Sequence, residues 1–219
     1  MSLQCFRQDD RSNLSFFLWI PEGYSEEEVK EWPLLLFLHG SNKRGNDPEV
    51  LSNYGLHKAA NDQLDFPFFV ISPHCPDHTD WVAERGQVLK LIHETADSYQ
   101  IDRTRIYGTG FSMGGEGIWD LSVQHPDLFA AVAPIAGWYD KTQVRILKNL
   151  PIWNFHGEED LIIPIERSEE LVQALEQIGG NIIFTKYPGE GHNIIDLTYS
   201  NRDLFKWLLS HRVAAKPKL

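Results

Sequence analysis

Apolar residues fall along the chain in short, nearly unbroken runs. They are "LSFFLWIP" (Leu14–Pro21), "PLLLFLHG" (Pro33–Gly40), "FPFFVISP" (Phe66–Pro73), "RIYGTGFS" (Arg105–Ser112), "FAAVAPIAG" (Phe129–Gly137), "PIWNFHG" (Pro151–Gly157) and "NIIFTKYPG" (Asn181–Gly189). Continuous apolarity, rather than alternation, is what a strand needs when both faces are covered, so most of these runs predict strands of a parallel sheet. Between them the period becomes helical. Val88, Ile92, Ala96 and Tyr99 recur at helical spacing within 86–100, and Leu171, Leu175 and Ile178 form a stripe within 166–180. Gly179 and Gly180 then supply a left-handed stop, and Leu204, Trp207 and Leu208 mark the inward side of a last helix within 200–212. The segment after Ser112 also reads as a helix, and "KTQVRILKN" as one short helix between two strands. Strands alternating with helices predict an α/β fold: a mostly parallel central sheet with helices on both faces, in a single domain spanning 1–219. The final "AAKPKL" is expected to fray.

Composition narrows the class. Hydrophobic residues make up 42% of the 219, enough for a sizeable core and too many for a disordered chain. No apolar run approaches the roughly 18 residues of a membrane span, and "MSLQCFRQDDRSN" lacks the basic-then-apolar pattern of a signal peptide. Cys5 and Cys75 could pair, but without a signal peptide two free buried thiols are expected, in a cytoplasmic protein. A net charge of −11 repels polyanions, so neither nucleic acid nor membrane is an expected partner.

Ligands of such sheets bind beyond the carboxyl ends of the strands. His39, Gly40, His74, Ser112, His156, Asp160 and His192 all fall there. Ser112 stands in Gly110-Phe111-Ser112-Met113-Gly114, where a strand becomes a helix. A serine hydroxyl is a poor nucleophile unless a base adjoins it and a sharp turn exposes it; small residues two before and two after relieve the crowding of that turn. The N–H of Met113, at the start of the helix, is placed to stabilise an oxyanion. Of the carboxylates Glu158, Glu159 and Asp160, the first two read as solvated, while Asp160 precedes apolar "LIIP" and turns inward. His192, in "PGEGHNIID" after the last strand, is the candidate base; His93, His125 and His211 sit in or beside helices, and His156 reads as a hydrogen-bonded structural residue.

In the loop "HGSNKRGND" the N–H of Ser41 is the expected second oxyanion donor, and Gly40 lets the backbone approach the nucleophile and its substrate. His39 is expected to hold this loop. Arg44 either anchors it through an internal salt bridge, the preferred reading, or faces the pocket. Trp81 reads as an apolar wall of the substrate pocket, with plain core as the alternative. "HCPDH" (His74–His78) follows no metal-ligand spacing and Pro76 interrupts any common face, so no metal or cofactor is expected.

"LLLFLHG…RGND", "GTGFSMGGEGIWDL", "PIWNFHGEEDLIIP" and "YPGEGHNIID", in that order, resemble the α/β-hydrolase fold. More narrowly, they resemble small serine esterases of the carboxylesterase/phospholipase and dienelactone-hydrolase-like group. The resemblance runs from about Leu14 to Leu209. It implies a triad of Ser112, Asp160 and His192, with the N–H groups of Met113 and Ser41 as oxyanion hole. Two departures are Ser41-Asn42-Lys43 before the Arg-Gly, where relatives carry a small residue and an acid, and a serine where dienelactone hydrolases use cysteine. The connection from Trp138 to Leu150 is too short for the lid that many lipases of the fold insert there. The implied substrate is therefore a small water-soluble ester with a short acyl or aryl group, cleaved through an acyl-enzyme. A peptidase or thioesterase with the same triad, or a non-catalytic binding protein on the fold, are the alternatives.

Overall fold

A computed structural model describes residues 3–8, 14–45, 47–63 and 65–213. Eight strands form one sheet: β1 (Leu3–Gln8), β2 (Ser15–Ile20), β3 (Trp32–Leu38), β4 (Phe69–Pro73), β5 (Ile101–Phe111), β6 (Ala131–Ile135), β7 (Ile152–Gly157) and β8 (Ile182–Tyr187). Their order is β1-β2-β4-β3-β5-β6-β7-β8, antiparallel at β1–β2 and β2–β4 and parallel from β4 to β8.

The unbroken apolar runs have the predicted cause. On β3, Leu34, Leu36 and Leu38 enter one core, while Leu35 and Phe37 enter the other. The first core is closed by α2 (Arg85–Ser98), α3 (Met113–Gln124) and α4 (Glu166–Glu176), through Val88, Ile92, Ile118, Leu171 and Leu175. The second is closed by α1 (Leu56–Asn61), α5 (Ile195–Ser200) and α6 (Arg202–Leu209), through Leu56, Ile195, Leu204 and Leu208. Each buried Leu or Ile contributes about 1.5–3 kcal/mol, so a helix is required on each face.

The differences from expectation have local reasons. β5 starts at Ile101, four residues before the predicted run, because its first turn is held by a polar knot. The Asp102 carboxylate accepts bonds from Thr104 N–H (3.0 Å), Arg105 Nε (2.6 Å) and Arg212 Nη1 (2.8 Å). The helices α1 and α5, with six residues each, are too short to print a period. α4 ends at Glu176 and Gly179 (φ +67°) makes the left-handed stop, its successor donating Gly180 N–H to the carbonyl of Leu175 at 2.9 Å. Between β6 and β7 stands a single short 3-10 turn (Val144–Leu147) and no large lid. Cys75 is buried and free, whereas the Cys5 side chain and the "AAKPKL" tail lie outside the described residues. Among the described residues no helix is long and apolar enough to cross a membrane.

Two buried histidines couple this core to pH. Burial pulls the pKa of His57, bonded to Ser72 Oγ at 2.7 Å, down to about 3, and does the same to His39. Unfolding returns both rings to water, where they protonate below about 6.5. Between about 6.5 and 3 the unfolded chain therefore binds more protons than the folded one, and stability falls as pH falls. Urea midpoints measured from pH 7 down to pH 4 should drop by the equivalent of about 1 kcal/mol per pH unit for each histidine. The slope should be shallower in His57→Gln; a flat profile would contradict the burial of both rings.

Candidate active site

Ser112 follows β5 and caps α3 with φ +57° and ψ −117°, a conformation that non-glycine residues avoid and that costs on the order of 1–3 kcal/mol. Its neighbours enforce it. Ser112 N–H donates to the carbonyl of Ile135 at 2.9 Å and Glu116 N–H to the carbonyl of Ser112 at 3.1 Å. The flanking glycines are required by contact: a Cβ on Gly114 would lie 1.9 Å from the Leu38 carbonyl oxygen, and one on Gly110 would lie 2.4 Å from that of Gly114. Gly115 meets Gly137, whose Cα would stand 2.9 Å from an added Cβ, so α3 seats directly on the loop after β6.

Three strand ends bring their side chains together around this turn. His192, from the loop between β8 and α5, places Nε2 2.9 Å from Ser112 Oγ and Nδ1 2.7 Å from Asp160 Oδ2. The carboxylate accepts the Nδ1 proton, which leaves Nε2 bare to accept the Ser112 hydroxyl. Asp160, in the loop after β7, is buried and takes the N–H groups of Ile162 and Ile163 on Oδ1, each at 2.9 Å. Burial pushes its carboxyl up, but the bonds from His192, Ile163 and Ile162 outweigh it and hold the pKa below the ordinary carboxylate value. Glu158 and Glu159 are exposed.

Gly157 lets the two loops meet, since a Cβ there would fall 2.2 Å from the Gly191 carbonyl oxygen. Backbone bonds from Glu158 N–H to Tyr187 (3.0 Å) and from Glu159 N–H to Glu190 (2.9 Å) tie them. Phe111 tilts its ring 4.9 Å from that of His192.

The loop after β3 is held from behind. His39, fully buried, donates Nδ1–H to the Gly40 carbonyl at 2.8 Å and accepts Cys75 N–H on Nε2 at 3.0 Å. Lys43 N–H binds the same Gly40 carbonyl at 3.1 Å. Because the peptide is trans and planar, pinning that carbonyl turns the Ser41 N–H the opposite way. Ser41 and Met113 are the first residues of their helical turns, positions whose N–H groups have no acceptor within the turn. Gly40 packs so tightly that an added Cβ would sit 3.1 Å from Phe111 Cδ1.

Two expectations change. Trp81 is only 1% exposed, packs on Gly117 and donates its indole N–H to the His39 carbonyl at 2.8 Å, so it is core that braces the loop and no wall of a pocket. Arg44 anchors the loop through the carbonyls of Ser41 (3.3 Å) and Thr79 (3.1 Å), where an ion pair was expected. In "HCPDH", His74 bonds the Lys43 carbonyl at 2.7 Å and His78 is exposed; among the described residues no group of three potential ligands could hold a metal ion. One residue the sequence reading passed over is Glu116, one turn into α3. Burial, with Asp80 and Asp120 nearby, pushes its carboxyl up to about 7.

A family model described as Phospholipase/Carboxylesterase matches residues 66–199, more than half of the chain and the stretch that carries all three converging side chains. The chain belongs to this phospholipase/carboxylesterase family. Among its relatives, Acyl-protein thioesterase 1 of Gibberella zeae is 28% identical over 113 residues, covering 48% of each protein. Lysophospholipase-like protein 1 of Mus musculus is 29% identical over 139 residues, covering 59% of this chain and 57% of that one. The chain thus spans about half the length of these curated relatives. A solved thermostable esterase superposes with a TM-score of 0.80 at 30% identity, over 96% of this chain and 63% of its own. The α/β-hydrolase fold and the membership in a group of serine esterases, expected from the motifs, therefore hold.

For this family member the tightness of the elbow is testable. Gly114→Ala should lower stability by at least about 2 kcal/mol, since backbone atoms cannot yield as side chains do. Gly86→Ala, on α2 with nothing within 4 Å of the added methyl, should raise it by about 0.5 kcal/mol. Thermal melts of the two variants check the contrast; equal behaviour would argue against the packing of Gly114 on β3.

Proposed function

We propose that the protein is a serine hydrolase cleaving small carboxylic esters, with short acyl or aryl groups, through an acyl-enzyme. The observation that carries this reading is the unbroken path from Ser112 Oγ to His192 at 2.9 Å and on to Asp160 at 2.7 Å, on a strained turn at the carboxyl end of a central strand. The family match and the named activities of the relatives support it.

The chemistry follows from the arrangement. His192 Nε2 takes the hydroxyl proton as Ser112 Oγ attacks the ester carbonyl, and Asp160 stabilises the imidazolium that results. Charge developing on the carbonyl oxygen is met by the N–H groups of Met113 and Ser41, the first strengthened by the α3 dipole. The imidazolium returns its proton to the departing alcohol. A water, deprotonated by the same imidazole, then releases the acid and restores Ser112. Gly40 leaves its backbone beside the acyl group. The short connection between β6 and β7 leaves no lid to exclude polar esters. A cytoplasmic setting, without membrane or nucleic-acid partners, belongs to the same proposal; the free Cys75 thiol and the charge of −11 support it.

The thioesterase name borne by one relative makes thioesters the second substrate class to examine. Initial rates on matched ester, thioester and amide substrates should rank the ester first. A fluorophosphonate should label Ser112, and Ser112→Ala should abolish labelling and lower p-nitrophenyl acetate hydrolysis by roughly 10⁴-fold or more. Absent labelling with an undiminished rate in the variant would reject the reading.

A further inference from the structure

His156 takes no part in that proton path, yet it touches it. The residue is the last but one of β7 and is fully buried. Its Nε2 lies 2.9 Å from the carbonyl oxygen of Ile163 and 3.1 Å from Asp160 Oδ2, while Nδ1 lies 2.8 Å from Ser168 Oγ on α4. Burial pulls its pKa below the ordinary value, so the ring is neutral and carries one proton. The partners decide which nitrogen holds it. Nε2 faces a carbonyl and a carboxylate, neither of which can donate, and a lone pair there would face two others. The proton therefore belongs on Nε2, donated to the Ile163 carbonyl with Asp160 Oδ2 close beside it, and Nδ1 accepts the hydroxyl of Ser168.

Asp160 is thus the centre of a ring of N–H donors. Oδ1 takes the N–H groups of Ile162 and Ile163, Oδ2 takes the Nδ1–H of His192 in front, and His156 Nε2 stands 3.1 Å behind Oδ2. Without His156, Oδ2 would be held only by the imidazole it has to orient. We propose that His156 is a positioning residue for Asp160: its Nε2–H, aligned by Ser168, locks Oδ2 against His192 and draws off part of the carboxylate's charge. The proposal rests on the Ser112–His192–Asp160 reading and deepens it.

Loss of this donor has a directional consequence. The titratable groups facing Asp160 are His156 and His192, since Glu158 and Glu159 turn to solvent. With one fewer hydrogen bond the carboxylate concentrates more charge on His192 and favours its protonated form, which cannot act as a base. The acidic limb of kcat/KM should therefore move to higher pH, an effect that a merely structural role would not produce.

The test compares His156→Leu, which removes the donor, with His156→Gln, whose side-chain amide reaches the place of Nε2. Rates are normalised to fluorophosphonate-reactive sites so that misfolded protein does not count. His156→Leu should lower kcat roughly 10-fold, the scale on which outer hydrogen-bond partners act, with KM little changed and the acidic limb displaced upward. His156→Gln should restore both. A second readout is independent of turnover: the downfield proton resonance of His192 Nδ1–H should persist in the wild type and in His156→Gln and broaden or vanish in His156→Leu. An unchanged rate, pH profile and resonance in His156→Leu would overturn the proposal. So would a folded His156→Gln no better than His156→Leu. A wild-type protein without turnover or labelling would instead reject the hydrolase reading, and the resonance would still decide the positioning.

Discussion

Everything at the carboxyl edge of the sheet depends on one backbone conformation, the positive φ of Ser112. Left to itself a serine would relax out of it. It persists because β3, β5 and α3 approach so closely that Gly114 lies against the Leu38 carbonyl, with Gly110 against Gly114 in turn. The strain is thus offset by packing spread over the cores on both faces of the sheet. A helix seated this near the sheet also brings its first N–H groups beside the serine, which a looser turn would carry away.

The second requirement is that polar groups work where water is scarce, which costs free energy unless each is paired. The candidate site meets it by layering hydrogen bonds behind the face that Ser112 and His192 present. Behind Ser41 stand Gly40, His39, Cys75 and Trp81; behind Asp160 stand two backbone N–H groups, His156 and Ser168. In each layer a buried neutral histidine fixes a neighbour by presenting one donor and one acceptor. An imidazole suits that task because burial holds it neutral and its two nitrogens then differ. The same neutrality makes the fold vulnerable to acid.

Much of this is legible in the sequence. The two-faced strands announced themselves because Leu34 to Leu38 leave no polar position on either side, and Ser112, Asp160 and His192 stood in strand-end loops in a revealing order. Trp81 misled because an indole near a polar segment reads equally as pocket wall or core, and only its packing on Gly117 distinguishes them. The early start of β5 was hidden because Asp102 and Arg105, three residues apart on the strand, satisfy one another, so polar residues occupy a place where apolar ones were expected.

The sequence by itself determined the fold class, seven of the eight strands and the chemical groups, since hydrophobic period and turn chemistry are local properties of the chain. Only the tertiary structure decided how those groups meet. That Gly157 admits the His192 loop, that the Gly40 carbonyl is pinned so that the Ser41 N–H faces away, and that His156 reaches Asp160 all depend on contacts between segments. Such contacts leave no periodic trace in the chain, because their geometry is set by packing across the sheet.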